Sequence, residues 1–392
     1  MSKVAFRRLG DLITLKRGYD LPEKVRIAGP YPVISSAGVS GWHNEYKVEG
    51  PGVVTGRYGT LGEMYYVEDE YWPHNTALYV QDFKGNDPKY IFYLLSCLGR
   101  IRTSDKSAVP GVNRNELHEM AVPAIEDVTS QIKIREVLES VDEKIALNNR
   151  INAELEAMAK TLYDYWFVQF DFPDANGKPY KTSGGKMVYN STLKREIPAG
   201  WYASNILSLA DLLGGGTPTK TNPGYWNGSI PFFTPTDSDK NIYSLNTQDS
   251  ITDLGLKHSS TRLFEKNTIF ITARGSVGRL ALNAVPMAMN QSCYALRAKQ
   301  GTSFAFLYFL TKELIHHLEV KATGSVFSSI ISNDIEYTNL ALPDDIGMIH
   351  KYAKKIEPAF TKIELLTKEN QQLTTLRDWL LPLLMNGQVT VK

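Results

Sequence analysis

The sequence predicts an α+β protein in which two similar globular modules are separated by two long antiparallel, coiled-coil-like helices, the whole being pseudo-two-fold. Three observations predict it. One long, diverged repeat runs through the chain. Each copy ends in a helical stripe of about 38 residues, or about 57 Å at 1.5 Å per residue. A stretch of Pro, Gly, Asn and Ser turn chemistry separates the copies. The modules are expected at 1–126 and 197–343, the first helix at 127–170, a linker at 171–196, and the second helix with a tail at 344–392.

Composition sets the bounds. A chain of 392 residues has room for two to three domains. With 43% hydrophobic and 22% charged residues it is an ordinary globular chain. Lys and Arg number 43 against 42 Asp and Glu, so the net charge of +1 excludes a histone-like phosphate binder but leaves room for a local basic groove. Cys97 and Cys293 belong to no CxxC, which argues against a disulfide scaffold or a structural zinc. Residues 1–18 lack a signal-peptide core, and no stretch approaches the ~18 apolar residues of a membrane span, so a cytoplasmic protein is expected.

The repeat is read from five matches, offset by 213 to 220 residues. Val53-Val54-Thr55-Gly56-Arg57 with the following Gly turn answers Ile269-Phe270-Ile271-Thr272-Ala273-Arg274 and its Gly turn, which is strand-then-turn chemistry. His74-Asn75-Thr76-Ala77-Leu78 is matched to Met289-Asn290-Gln291-Ser292-Cys293. Tyr90–Leu95 is matched to Phe304–Leu310, Val109–Val112 to Thr323–Val326, and Met120–Pro123 to Leu340–Pro343. The first helical stripe holds Ile134, Val137, Val141, Ile145, Asn148, Asn152, Leu155, Met158, Leu162 and Tyr165. The second holds Ile349, Tyr352, Ile356, Phe360, Ile363, Leu366, Asn370, Leu373, Leu376 and Leu380. Both step by three and four, as a packed seam does, and Asn152 and Asn370 are polar seam residues of the kind that fix register. Two such stripes most simply bury each other. Pro358 is expected to kink or restart the second helix.

Motifs for catalysis are weak. Asn222-Pro223-Gly224-Tyr225 is one residue from the Asn-Pro-Pro-Tyr loop of amino-methyltransferases, but no Gly-rich cofactor loop in a βαβ series accompanies it, so a turn before Trp226 is expected. Gly214-Gly215-Gly216 and the Gly turn after Arg57 lack the Lys-Ser or Lys-Thr of a phosphate loop. His316-His317 has no partners at metal-ligand spacing. No metal site, cofactor of its own or catalytic centre is expected. The loops are richer in groove- and phosphate-reaching side chains. Lys16, Arg17 and Tyr19, then Lys106, Arg114, Thr219, Lys220 and Lys240 are candidate DNA contacts. Arg57 and Arg274 are taken as equivalent arginines at the mouth of a Gly turn, able to reach a base edge or, alternatively, to pair with a carboxylate inside the module.

These features together resemble the DNA-specificity (HsdS-type) subunit of type I restriction–modification systems over essentially the whole chain. The stretch from Leu162-Tyr163-Asp164-Tyr165-Trp166-Phe167 through Gly177-Lys178-Pro179-Tyr180 to Ile197-Pro198-Ala199-Gly200-Trp201 is similar to that family's central region. Gly214–Pro218 with Tyr225-Trp226 resembles the start of a target recognition domain, and Leu376–Leu384 with Asn386-Gly387 resembles the C-terminal helix end. The resemblance implies a non-catalytic subunit whose globules each read half of a split double-stranded DNA site, with the helices setting the gap. It implies two methyltransferase subunits, docked on the seam region (Ile145, Asn152, Leu155, Leu162, Trp166, Ile363, Asn370, Leu373, Trp379), and a restriction subunit. S-adenosylmethionine, Mg2+ and ATP would sit on those partners. The alternatives are a two-module protein-interaction scaffold that never meets DNA, and an adenine methyltransferase built around Asn222. The DNA sequence read is not legible from these loops.

Overall fold

Short β-branched runs bounded by Gly become central strands, and the alternation of side chains along them decides which layers they join. The structure, a computed structural model, describes residues 4–57, 63–98, 113–238, 241–322 and 328–391. The fold divides into two units, Met1–Ile145 with Gln372–Lys392, and Ala146–Gln371.

In the first unit the strand Gly52–Gly56 is one of the two inner members of a four-stranded sheet. It pairs antiparallel with Met64–Val67 and with Ala77–Asp82, which in turn pairs with Thr14–Arg17. Val53 points to a core shared with the helix Pro88–Cys97, with Ile134 and Leu138, and with Leu384 and Met385. Val54 points the other way, to Ile34, Tyr71 and Tyr79. There a second sheet lies, in which Tyr31–Ser35 pairs antiparallel with Gly38–His43 and parallel with Trp72–Pro73. Asp87 caps the helix, accepting from the Tyr90 N–H at 2.8 Å, which fixes the helix start.

The second unit repeats this plan. Ile269–Thr272 lies between Leu280–Asn283 and Cys293–Ala298, with Ala210–Gly214 beyond and one extra strand, Tyr243–Ser244, on the far edge. Ile269 and Ile271 face a core with the helix Phe304–Lys321, while Phe270 faces Phe233 and Phe264. Trp226–Phe233 pairs antiparallel with Asp249–Ile251 and parallel with Ala288–Met289, as in the first unit's small sheet. Ser303 caps the helix through the Phe306 N–H. The strand register puts Val54 against Tyr79 and Phe270 against Ala295, so the repeat seen at Val53 and Ile269 is a repeat of backbone. It reaches further upstream than the five matches, because Leu15 against Val80 corresponds to Leu212 against Leu296.

The register also corrects two details. The sequence aligned Asn75 with Asn290 on identity. The strand pairing makes Gln291 the counterpart of Asn75 and Asn290 that of His74. Arg57 donates its backbone N–H to Thr76 O at 2.9 Å, and the residue doing the same in the second unit is Ala273, to Ser292 O at 2.9 Å. Arg274 is therefore one residue beyond the true equivalent of Arg57. Successive side chains of extended chain face opposite sides, so the two arginines are not interchangeable.

The long helices are Val128–Tyr163, closed by a wide turn over Asp164–Val168, and Ile346–Met385. In the second unit Asn148 meets Asn370, Asn152 meets Thr367 and the Ala159 carbonyl accepts from the Tyr352 hydroxyl at 3.0 Å. Rising numbers on one helix meet falling numbers on the other, which is antiparallel packing. In the first unit Asp142 pairs with Arg377 at 2.9 Å in the same sense. Ile349, Tyr352, Ile356, Phe360, Ile363 and Leu366 are all buried as expected, each contributing about 1.5–3 kcal/mol. The first stripe is one residue out at its end: Met158 is 56% exposed and Tyr165 lies at the surface, while Ala159 and Tyr163 are buried. A straight helix drifts away from a seven-residue repeat, and that drift brings Ala159 and Tyr163 inward. Leu376 also faces out. Pro358 does not break the second helix. It sits on the exposed face between buried Ile356 and Phe360, where water can serve the carbonyl that its missing N–H leaves free.

The stretch read as a linker is built. The Asp171 carboxylate accepts from Thr182 N and Oγ1 at 2.8 and 2.6 Å, bonds that hold its carboxyl below the usual range. Phe172 stacks on Tyr180 and Trp201 at 4.7 and 5.5 Å. A hairpin, Met187–Asn190 with Arg195–Pro198, follows.

Candidate nucleic-acid interface

In each unit the chain entering one inner strand of the larger sheet, Ala77–Asp82 or Cys293–Ala298, makes a short bend, and the same backbone bonds hold that bend in both. In the first unit Tyr19 N–H donates to Pro73 O (2.8 Å), His74 N–H to Ile34 O (2.8 Å), Arg57 N–H to Thr76 O (2.9 Å) and Ala77 N–H to His74 O (2.9 Å). In the second the donors are Gly216 to Met289 O (3.0 Å), Asn290 to Phe233 O (2.9 Å), Ala273 to Ser292 O (2.9 Å) and Cys293 to Asn290 O (3.4 Å). Beside each bend a glycine makes the close approach possible. A Cβ on Gly18 would fall 2.2 Å from His74 O, and one on Gly215 would fall 2.1 Å from Asn290 O. The triple-glycine run is thus a backbone-packing device, away from any helix start.

Several predicted residues gather at the first bend. Arg17 donates from Nε to Asn75 O at 3.3 Å. Lys16 lies over the Tyr19 ring at 5.7 Å, and the Tyr19 hydroxyl meets that of Tyr79 at 3.1 Å. That hydrogen bond, with help from Lys16, holds the Tyr19 phenol below its ordinary value, while burial raises Tyr79. Arg57 follows the strand on the other side of the bend. Arg114 is not brought there. Its short helix, Arg114–Glu119, packs on residues 9–12, and His118 accepts the Leu15 N–H at 2.9 Å, at the far end of the strand from Arg17. In the second unit Thr219 is exposed and its carbonyl accepts from Trp226 Nε1 at 3.3 Å, with exposed Lys220 next to it. Arg274 is exposed and hydrogen-bonds through its backbone to Ser292 O. Lys106 and Lys240, the Gly turn at 58–62, and the matched stretches 109–112 and 323–326 lie outside the described residues.

Sequence reasoning missed Arg26, Lys47, Asp20, Asn75, Thr217 and Gln291. Arg26 donates to Ser40 O at 2.8 Å, and its charge, after burial, lowers the His74 pKa. Lys47 sits over Trp72 at 4.8 Å. Asn75 donates from Nδ2 to the Asp20 carboxylate, and Thr217 Oγ1 donates to Gln291 Oε1. The one-residue slip at Asn290 concealed the correspondence of these last four.

The seam residues are mostly internal. Asn152, Trp166 and Ile363 are buried, and Ile145, Leu155, Leu162, Asn370 and Leu373 are half-buried. Trp166 packs against Phe167 and Tyr352, so its role is in the core. Trp379 is 61% exposed. Asn222 is held in its own turn, its Oδ1 accepting from Gly224 N–H at 3.0 Å, and Tyr225 stacks on His258. Among the described residues no three His, Cys, Asp or Glu side chains are grouped to hold a metal, and no helix is long and apolar enough to cross a membrane.

Each unit carries the same α+β backbone plan with a polar bend beside its larger sheet, which defines a protein built on an internal duplication. The family model for the type I restriction modification DNA specificity domain matches residues 1–157 and 198–375, and the chain belongs to that family. It is 22% identical over 358 residues to the HindI specificity subunit of Haemophilus influenzae, covering 77% of each chain. It is 27% identical over 293 residues to the MjaIX specificity subunit of Methanocaldococcus jannaschii, covering 74% of this chain and 65% of that one. The S subunit of a type I restriction–modification system from M. genitalium has the same fold, with a TM-score of 0.61 at 15% identity over 97% of this chain and 96% of that one.

Proposed function

We propose that the chain is the DNA-specificity subunit of a type I restriction–modification complex in the cytoplasm, with each module reading one half of a bipartite double-stranded site. The paired helices set the gap between the half-sites. Two methyltransferase subunits dock on the helices, where Trp379 offers an anchor, and a restriction subunit joins them. The chain carries no chemistry of its own; S-adenosylmethionine, Mg2+ and ATP are bound by the partners. The observation that carries this reading is that one backbone frame occurs twice with different polar side chains at its exposed bend, as two readers of different half-sites require. Lys16, Arg17, Tyr19 and Arg57 in one module, and Thr219, Lys220 and Arg274 in the other, supply phosphate and groove contacts; Arg114, Lys106 and Lys240 extend the same basic character.

The test is genome-wide adenine and cytosine methylation in a host expressing this chain with the methyltransferase from its neighbouring reading frame. A single split motif that vanishes without this chain is expected. Methylation independent of the chain, or none with a folded complex, would overturn the reading in favour of a protein scaffold.

A further inference from the structure

The two bends differ in one respect that matters for recognition. Gly18 and Gly215, the paired backbone bonds and the strand register superpose Asp20 on Thr217 and Asn75 on Gln291. Each module thus closes its bend with one polar side-chain pair at the same place, and the two pairs are of opposite hydrogen-bonding character. A carboxylate only accepts, so Asn75 must turn its NH2 toward Asp20. That leaves the remaining lone pairs of the exposed Asp20 carboxylate as an acceptor surface beside half-buried Asn75. In the second module the Thr217 hydroxyl occupies Gln291 Oε1, leaving the Gln291 NH2 as an uncharged donor. Asp20 and Gln291 are exposed, and the segments that carry them are fixed by backbone bonds, so these polar atoms are held in place before any ligand arrives.

We propose that Asp20–Asn75 and Thr217–Gln291 are specificity-determining pairs, each facing one base pair of its module's half-site. This rests on the DNA-reading function proposed above. The acceptor pair suits a base that offers an exocyclic amino group in the major groove, cytosine N4 or adenine N6. The donor amide suits an acceptor edge such as guanine O6 or thymine O4. Arg17 on Asn75 O, with Lys16 and Arg26 near the same bend, offsets the repulsion between the Asp20 carboxylate and phosphates.

The experiment uses the full complex with its methyltransferase subunits. Asp20→Asn and Gln291→Glu are nearly isosteric and reverse or remove the outward polarity of one pair at a time. Methylation is mapped genome-wide, and binding is measured on duplexes carrying each single-base change in the mapped site. Asp20→Asn is expected to relax or change the base at one position of one half-site, with discrimination there falling about 10- to 100-fold. Gln291→Glu is expected to do so in the other half-site, with the gap unaltered in both. The parental motif at parental level in both variants would overturn the proposal. So would an equal loss on all sequences accompanied by a lowered Tm, which would make the pairs structural. Failure of the underlying DNA-reading function is seen separately, on the unsubstituted complex, as the absence of any split motif.

Discussion

Shortening both helices together should shorten the gap in the DNA site. Asp142 lies against Arg377, and Asn148 against Asn370. The segments Glu143–Ala146 and Leu373–Leu376 lie between these pairs on the two helices, and none of their residues is fully buried. Removing both segments takes about 6 Å from each helix at 1.5 Å per residue. It leaves a rotation of about 40°, because four residues exceed one turn of 3.6. With about 3.4 Å per base pair, the gap should contract by about one to two base pairs. The half-sites should be unchanged, since no residue of either module is touched. Deleting one segment alone should cost stability instead, as the seam then loses its register. Removing the turn at Ala157–Lys160 is a worse test, because Ala159 is buried and its carbonyl serves Tyr352. The assay is the methylation motif of the double deletion, read genome-wide. An active variant that modifies the parental site with the parental gap would refute the reasoning.

Four further outcomes are expected. Arg57→Ala or Arg274→Ala should weaken DNA binding by the complex, by about 1–3 kcal/mol if the guanidinium reads a base; an unchanged affinity with a lowered Tm would assign a structural role to that residue. Gly215→Ala should destabilise the second module by about 1–3 kcal/mol or more, because the new Cβ meets a backbone carbonyl that cannot give way; urea melts read this, and a neutral result would deny the close approach. The His118 pKa is lowered by burial and then by Lys84 and Arg114, and its Nε2 must be unprotonated to accept the Leu15 N–H. The unfolded chain therefore binds the proton more readily, so His118 contributes stability at neutral pH that is lost as pH falls below about 6.5. His118→Gln should flatten that part of the pH dependence of the urea midpoint, and an unaltered profile would contradict it. Tyr163→Phe should cost about 1–3 kcal/mol, because the Tyr163 hydroxyl donates to Glu313 at 2.6 Å. Burial already raises the Glu313 carboxyl, and Tyr163 counters that rise. A raised acid pKa makes stability fall as pH climbs through it, so the variant should lose more stability between pH 5 and 8 than the parent, as thermal melts at those pH values would show.

The fold was legible because its largest signals are periodic. The strand Val53–Gly56 and its copy Ile269–Thr272 announce themselves as β-branched runs before Gly turns, and the helical stripes need only counting. The hairpin at 187–198 was hidden, because its strands are short and half exposed and its turns look like linker chemistry. The end of the first stripe slipped because bulky Tyr165 and Met158 scored as apolar, whereas tiny Ala159 packs against the other helix. At the first bend Arg17 and Tyr19 stood out by residue type. The pairs Asp20–Asn75 and Thr217–Gln291 did not: such polar residues are ordinary on any loop, and only backbone register reveals that the two pairs occupy the same place in two modules. Identity misled there, since matching Asn75 with Asn290 is better spelling and worse geometry.

The asparagines between the helices make length a discrete quantity. Asn148 donates to Glu369 and Asn370, and Asn370 donates to Asn149, all at 2.8 Å. Sliding one helix by a heptad would set Asn370 near Leu155 and Asn152 near Leu373, and strand both amides against hydrocarbon. Two amides left without partners cost about 2–6 kcal/mol, so a slipped register would hold only a few per cent of molecules or far fewer. A spacer with such a lock has no intermediate settings: it accepts one interval and rejects its neighbours, and a new interval arises only when residues are inserted or removed.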